Sequence, residues 1–287
     1  MNQKIQQFFT DKDKLWLAIW LCGIALLTVW NALFLNAPAF ERVRTGFVNT
    51  MLIALLVIGI TLVAGWLIGV AVYFLERMRN SAAYLTATFL LNIVRSVPQI
   101  VGILLGFVLI TVGIQSNALG SGATIILAIA GTISLFVFLE IVDLIRERIA
   151  HFRRSDFYNA MLVCGISEWR IVNVDILWKN SRNHIFNKLI AIFGVTIFLL
   201  CSIDFIISVG LSNDVSSINL PVTLGSLLAK IDSKQDVLAI GHTLLNPGYL
   251  PNLFFKHLQG ISVAFLIVFS LVCIYKIANG FARRYEL

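Results

Sequence analysis

Residues 15–35, LWLAIWLCGIALLTVWNALFL, carry no charged side chain at all. A run of about 20 apolar residues is long enough to cross the hydrocarbon core of a bilayer. Inside lipid a backbone must satisfy its own polar groups, so such a run folds as a helix. The pattern returns at residues 51–75, 97–112, 123 onward, 189–210 and 257–275. With 59% hydrophobic and 13% charged residues, the chain lies outside the range of soluble globular domains. The net charge of +7 would suit nucleic acid, but the basic residues stand between apolar spans. A sidedness rule accounts for them better, which leaves lipid and not nucleic acid as the surroundings. The expected fold class is all-α, a polytopic membrane protein with six transmembrane helices.

The first run is too long for a signal-peptide core and has no clear small-residue cleavage site, so it reads as a retained anchor. Residues 36–50, with Pro38, Glu41, Arg42 and Arg44, form a polar exit before the second span, which stops at Glu76, Arg77 and Arg79. Residues 81–115 exceed one span and carry Arg95-Ser96-Val97-Pro98 in the middle. There Ser96 is suited to cap a new helix and Pro98 to its first turn. Residues 81–95 are then interfacial or partly embedded and 97–112 the core of the third span, with Arg95 either at the headgroups or in contact with substrate. After a turn at 115–122, the fourth span continues past the membrane through Glu140, Asp143, Arg146, Glu147 and Arg148, where Asp143 and Arg146 could pair. The fifth span holds Asp204 toward its outer end, an intramembrane acid with either a pathway role or a wetted structural one. Residues 211–256 form a long polar interval with apolar patches at 222–228 and 237–245, read as an outer-face element that partly dips back.

Six spans with an inner amino terminus leave five basic residues outside: Arg42, Arg44, Lys230, Lys234 and Lys256. The other 17 of the 22 (22 − 5) fall inside or at the inner edge, as the positive-inside rule requires. Both termini are expected on the cytoplasmic side. The chain divides at residues 1–45, the first helix with its flanks, and 46–287, a five-helix core with a loop at 151–185 and the outer loop at 211–256. The four cysteines, Cys22, Cys164, Cys201 and Cys273, lack the spacing of a metal site or redox pair. No Gly-x-x-x-x-Gly-Lys-Ser/Thr phosphate loop, His-Glu-x-x-His motif or Gly-x-Ser-x-Gly elbow occurs. No tight polar constellation suggests a membrane enzyme, and any ATP that drives the protein would have to bind on another chain.

The longest polar-interrupted interval on the inner face is residues 151–180, HFRRSDFYNAMLVCGISEWRIVNVDILWKN. Apolar spacing reads it as two short helices broken at Gly165. Phe157, Met161 and Cys164 share a face before the break, and Trp169, Val172 and Ile176 share one after it. Amphipathic helices lying at the headgroups would look the same. The order of residues resembles the EAA loop of ATP-binding-cassette importer permeases: Glu-Ala-Ala, three residues, Gly, nine residues, Ile, one residue, Leu, Pro. Ala160, Gly165 and Leu177 match, while Asn159, Met161, Asp175 and Trp178 stand at the Glu, second Ala, Ile and Pro positions.

The whole layout is similar to the C-type permeases of oligopeptide, dipeptide and nickel importers, of the type I fold. Residues 204–210 resemble a Ser-Phe-Leu-Gly-Leu-Gly segment, and residues 225–228 the Gly-Ser-Met/Leu-Leu that follows it; Arg95 to Pro98 fits amino-acid permeases better. The resemblance implies a multi-pass subunit of the bacterial inner membrane that forms half of a pathway for peptide or a similar small solute. Its partners would be a second permease, two ATP-binding-cassette ATPases and an extracytoplasmic binding protein. ATP and Mg would bind on the ATPases, with no cofactor in this chain. Coupling would fall to Tyr158, Asn159, Ala160, Gly165, Ser167, Trp169 and Leu177, and pathway contacts to Asp204 and Arg95. An ATP-independent secondary transporter or channel, or a membrane scaffold, would need neither ATPases nor a coupling role for the loop.

Overall fold

A computed structural model describes residues 11–78, 81–210, 220–229, 231–252 and 258–285. Among them every regular element is helical. Helix α1 (Lys12–Phe34) is followed almost at once by α2 (Ala37–Arg77). The Asn36 side chain accepts the amide of Ala39 at 3.0 Å, and Pro38 fits the first turn. That cap starts the helix well ahead of the apolar run, so the stretch expected as a polar exit forms the first turns of α2. At 41 residues, α2 is about 60 Å long and outreaches the bilayer core.

Helices α3 (Ser81–Ser96) and α4 (Gln99–Gln115) meet at 91°. The break falls where the sequence placed it, but the capping differs. The Ser96 hydroxyl turns back to the Ile93 carbonyl at 2.8 Å, and Pro98 is the cap residue itself. Proline disfavours helical geometry in the residue before it, so α3 ends one position early. A right angle lays α3 along the bundle: Tyr84, Ala87, Leu91 and Val94 pack on Val72, Phe138 and Val142, while Leu85 and Phe89 face outward.

Helices α5 (Gly122–Val137) and α6 (Leu139–Arg153) bend by 42° at Phe138. Then come α7 (Asp156–Val163) and α8 (Glu168–Arg170), the latter running on as a π-helix (Ile171–Asn180). The last elements are α9 (Arg182–Gly210), α10 (Leu224–Leu228), α11 (Ile231–Leu245), a 3-10 turn (Pro247–Tyr249) and α12 (Leu258–Arg284). Among the described residues α1, α2, α9 and α12 are each long and apolar enough to cross a membrane. Each bent pair taken as one span raises the count to six. Asp214, Lys230, Lys256 and His257 lie outside the described residues.

The main core joins α2, α4, α5, α6 and α9 through Ile53, Val57, Ile103, Ile129, Ile141 and Ile192. Helix α2 crosses α6 at Gly65, where an added Cβ would lie 2.6 Å from the Ile141 Cβ. Small residues allow that approach where lipid supplies no drive to bring helices together. Helix α1 runs along α12, tied by Trp20 to Ser270 at 3.1 Å, Ser262 to Asn31 at 2.7 Å, and Arg284 to Asp13 at 3.0 Å. The Arg284 contact brings the first turn of α1 and the last turn of α12 to the same end of the molecule.

Candidate functional site

The loop between α6 and α9 is built on a helix stop. Helix α7 ends with Gly165 at φ +78°, the left-handed region. The Ile166 amide bonds the Met161 carbonyl at 3.2 Å, and the Gly165 amide bonds the Leu162 carbonyl at 2.9 Å. This nested pair is a Schellman stop, which satisfies carbonyls the helix end would orphan and needs a residue without a Cβ penalty at Gly165. The break expected at Gly165 is therefore present, with its backbone cause. The apolar faces differ from expectation. Before the glycine, the deeply buried residue is Tyr158, at 3% exposure, while Phe157 and Cys164 are exposed. After it, the π-helix buries Ile171 with Val172 and Ile176 with Leu177. That spacing of five follows the i→i+5 bonding of a π-helix and leaves Trp169 61% exposed.

A polar cluster ties both limbs of the loop to the end of α2. The Tyr158 hydroxyl donates to Glu168 Oε1 at 2.5 Å, and the Tyr73 hydroxyl donates to the same oxygen at 2.6 Å. Arg77 Nε reaches the other oxygen at 3.2 Å. The two phenol oxygens lie 3.2 Å apart. Burial alone would raise the Glu168 pKa, but the bonds from Tyr158 and Tyr73 and the charge of Arg77 outweigh it and hold the carboxyl below its usual range. Burial, reinforced by the bond to Glu168, pushes the Tyr158 phenol up. Two further contacts join the second limb to α2: Trp66 Nε1 donates to Asn173 Oδ1 at 3.0 Å, and the Phe74 and Trp169 rings lie 5.4 Å apart. Beside the cluster, a cleft of about 600 Å³ opens between α2 and α6, lined by Tyr73, Glu76, Asp143, Arg146, Glu147 and Arg153 among others.

Of the residues singled out in the loop, Asn159, Ala160, Gly165, Ser167 and Trp169 lie at the surface. Tyr158 and Leu177 are buried, Leu177 completely, so both hold the loop from below. Sequence reasoning missed Glu168, Tyr73 and Arg77. A signal was there: Tyr73 and Arg77 are four apart at the end of the second apolar run, on one helix face, and Glu168 follows the glycine by three residues.

The two pathway candidates are far apart in the fold. Arg95, at the end of α3, forms an ion pair at 2.6 Å with Asp143 of α6, both about half exposed. Asp143 thus pairs across helices, in place of the expected pairing with Arg146 on its own helix, because the right-angle bend delivers Arg95 beside it. Asp204 accepts a short hydrogen bond from the hydroxyl of Thr223, the residue that caps α10 by accepting the Ser226 amide at 3.1 Å. Its partner, illegible in the sequence, is the segment that dips back: Leu224 and Leu227 are buried, and the Leu224 amide bonds Thr50 Oγ1 at 3.0 Å. The apolar patch expected at 222–228 is thus α10, docked against α2 and α9.

The described residues contain no group of three or more His, Cys, Asp or Glu able to hold a metal, and the four cysteines are free thiols. The loop presents an exposed turn on a buried, hydrogen-bonded footing. No curated protein and no solved structure matches the chain. A protein family does, described as the binding-protein-dependent transport system inner membrane component, over residues 61–286. That match takes in the last part of α2, from residue 61, and runs on through the loop to residue 286, and the chain belongs to this family, the inner-membrane permease components of ATP-binding-cassette importers.

Proposed function

We propose that this permease component forms half of a translocation pathway with a second permease, and that the loop at Gly165 couples it to two cytoplasmic ATPases. ATP and Mg bind on those subunits, and an extracytoplasmic binding protein delivers a peptide or a similar small solute. Both termini and the loop then face the cytoplasm. The observation that carries this reading is the division of the loop into two surfaces. Asn159, Ala160, Ser167 and Trp169 face outward, while Tyr158, Val172, Ile176 and Leu177 are buried beneath them. A segment lying passively at the headgroups would turn its apolar side to lipid; this one buries Ile171, Val172, Ile176 and Leu177 in the core, and the apolar groups it leaves outside, Val163 and Trp169 among them, flank the Gly165 turn, where a partner could cover them. Movement of that turn with the ATPases would bias the helices between two arrangements, opening the pathway to alternate sides.

The test is purification of the tagged chain in mild detergent, with mass spectrometry of whatever co-purifies in stoichiometric amounts. Recovery of ATPase subunits and a second permease supports the reading, and an accompanying binding protein identifies the substrate class. Recovery of the chain alone, with uptake that needs no ATP, would replace it with a channel or secondary transporter.

A further inference from the structure

We propose that Glu168 is a positioning residue that makes the loop and helix α2 move as one body. This rests on the coupling reading above and goes beyond it by naming the part that transmits the movement. The two limbs of the loop are joined at the Gly165 turn, where nothing lies within 4 Å of an added Cβ. Met161, Leu162 and Ile166 pack around the turn on the main core, but the open space at the glycine leaves room for α7 to tilt on the second limb when it is pushed. Glu168 restrains that tilt. Through one oxygen it holds Tyr158 of the first limb and Tyr73 of α2, and through the other it holds Arg77 of α2, while itself standing on the second limb. One carboxylate thus joins three separate pieces of chain. Without it the two phenols keep only each other, at 3.2 Å, and Arg77 loses its ion pair. The contacts of Trp66 with Asn173 and of Phe74 with Trp169 join only the second limb to α2, so they cannot stand in for the tie to Tyr158.

The test uses the complex of the full chain with its co-purifying ATPases, in nanodiscs. Cys22, Cys201 and Cys273 are changed to alanine. The exposed Cys164 carries one spin label, and Met78→Cys, exposed just past α2, carries the other. Pulsed electron paramagnetic resonance reads their separation with ADP and with ATP plus vanadate. The wild-type cluster should give one unchanged distance in both nucleotide states. Glu168→Ala should keep that distance with ADP and lose it with ATP plus vanadate. The pair Tyr73→Phe and Tyr158→Phe, which removes only hydroxyls, should show the same nucleotide-dependent loss, and Glu168→Gln, which keeps an acceptor, should restore most of it. A purely structural role would shift the distance equally in both states, and that result, or no shift in any variant, overturns the proposal. If Glu168→Ala fails to accumulate, the tyrosine pair and Glu168→Gln carry the same comparison. A wild-type chain recovered without ATPases overturns the coupling reading, and the proposal with it, before any variant is measured.

Discussion

Replacing Gly165 tests the loop at its most constrained backbone position. At φ +78° an L-residue meets its own carbonyl, at a cost of about 1–2 kcal/mol. An added Cβ has no neighbour within 4 Å, so no packing clash is added and the whole effect is backbone strain. Asparagine tolerates this region far better than β-branched residues do, so the order of damage should be Val worst, Ala next, Asn least. A penalty of one to two kcal/mol corresponds to roughly a 5–30-fold change in a local opening equilibrium. Hydrogen exchange should therefore speed up by that factor in Gly165→Val at the amides of residue 165 and Ile166, which close the α7 stop, and stay near wild type in Gly165→Asn. Assembly with partner subunits should survive, because Tyr158 and Leu177 still anchor the loop, while ATP-driven movement is lost. Equal damage from Asn and Val would refute the φ argument and point to a steric requirement at the docked surface.

Acid should loosen the same loop. Glu168 has a folded pKa below the ordinary glutamate value of 4.5, so its contribution is fully present above that value and is lost as pH falls through the lower folded one; exchange at residues 156–170 should rise as pH falls through that window, and Glu168→Gln should abolish the dependence. Breaking the Arg95 to Asp143 pair should cost at most about 1 kcal/mol, since both ends are half exposed, and a thermal shift well beyond that would mean the pair is shielded in the membrane. Asp204→Leu strands the buried Thr223 hydroxyl, about 1–3 kcal/mol, and should expose residues 220–229 to protease. Asp204→Asn, which keeps an acceptor, should leave them protected.

The spans were legible because lipid imposes one rule on every residue in them: an apolar run of sufficient length has to be a helix. The kink at Pro98 and the stop at Gly165 were legible for a local reason, since each follows from the backbone chemistry of one residue. What the sequence hid depended on a partner far along the chain. Asn36 starts α2 before any apolar signal, so the polar first turns read as a linker. The π-helix that follows Trp169 has no periodic signature under a 3.6-residue template, so the face read through Trp169, Val172 and Ile176 splits, with Trp169 outside and the other two buried. The EAA resemblance that names Tyr158 for coupling carries no depth; Tyr158 is buried, and the Glu168 it bonds also binds Tyr73, 95 positions away.

Helix α2 connects two hydrogen-bonded sites well separated along its length. At one end Tyr73 and Arg77 hold Glu168. At the other, Asn49 Nδ2 donates to the Val222 carbonyl at 2.8 Å and Thr50 Oγ1 accepts the Leu224 amide at 3.0 Å, which fastens α10. From Asn49 to Tyr73 the helix is unbroken, and those 24 steps span about 36 Å, more than a hydrocarbon core. A rigid helix fastened at both points would carry movement across the bilayer without any change in its own structure. Glu168→Ala and Thr50→Val cut opposite ends of this one link. Their effects on stability should add within about 0.5 kcal/mol, because the sites share no partner. Their effects on nucleotide-driven displacement of α10 should not add: if α2 is the route, either substitution alone abolishes the displacement, and the double variant loses nothing more. Partial losses that sum in the double variant would show that movement also reaches α10 through α6 and α9, which the Lys188 to Glu140 pair joins at 2.9 Å.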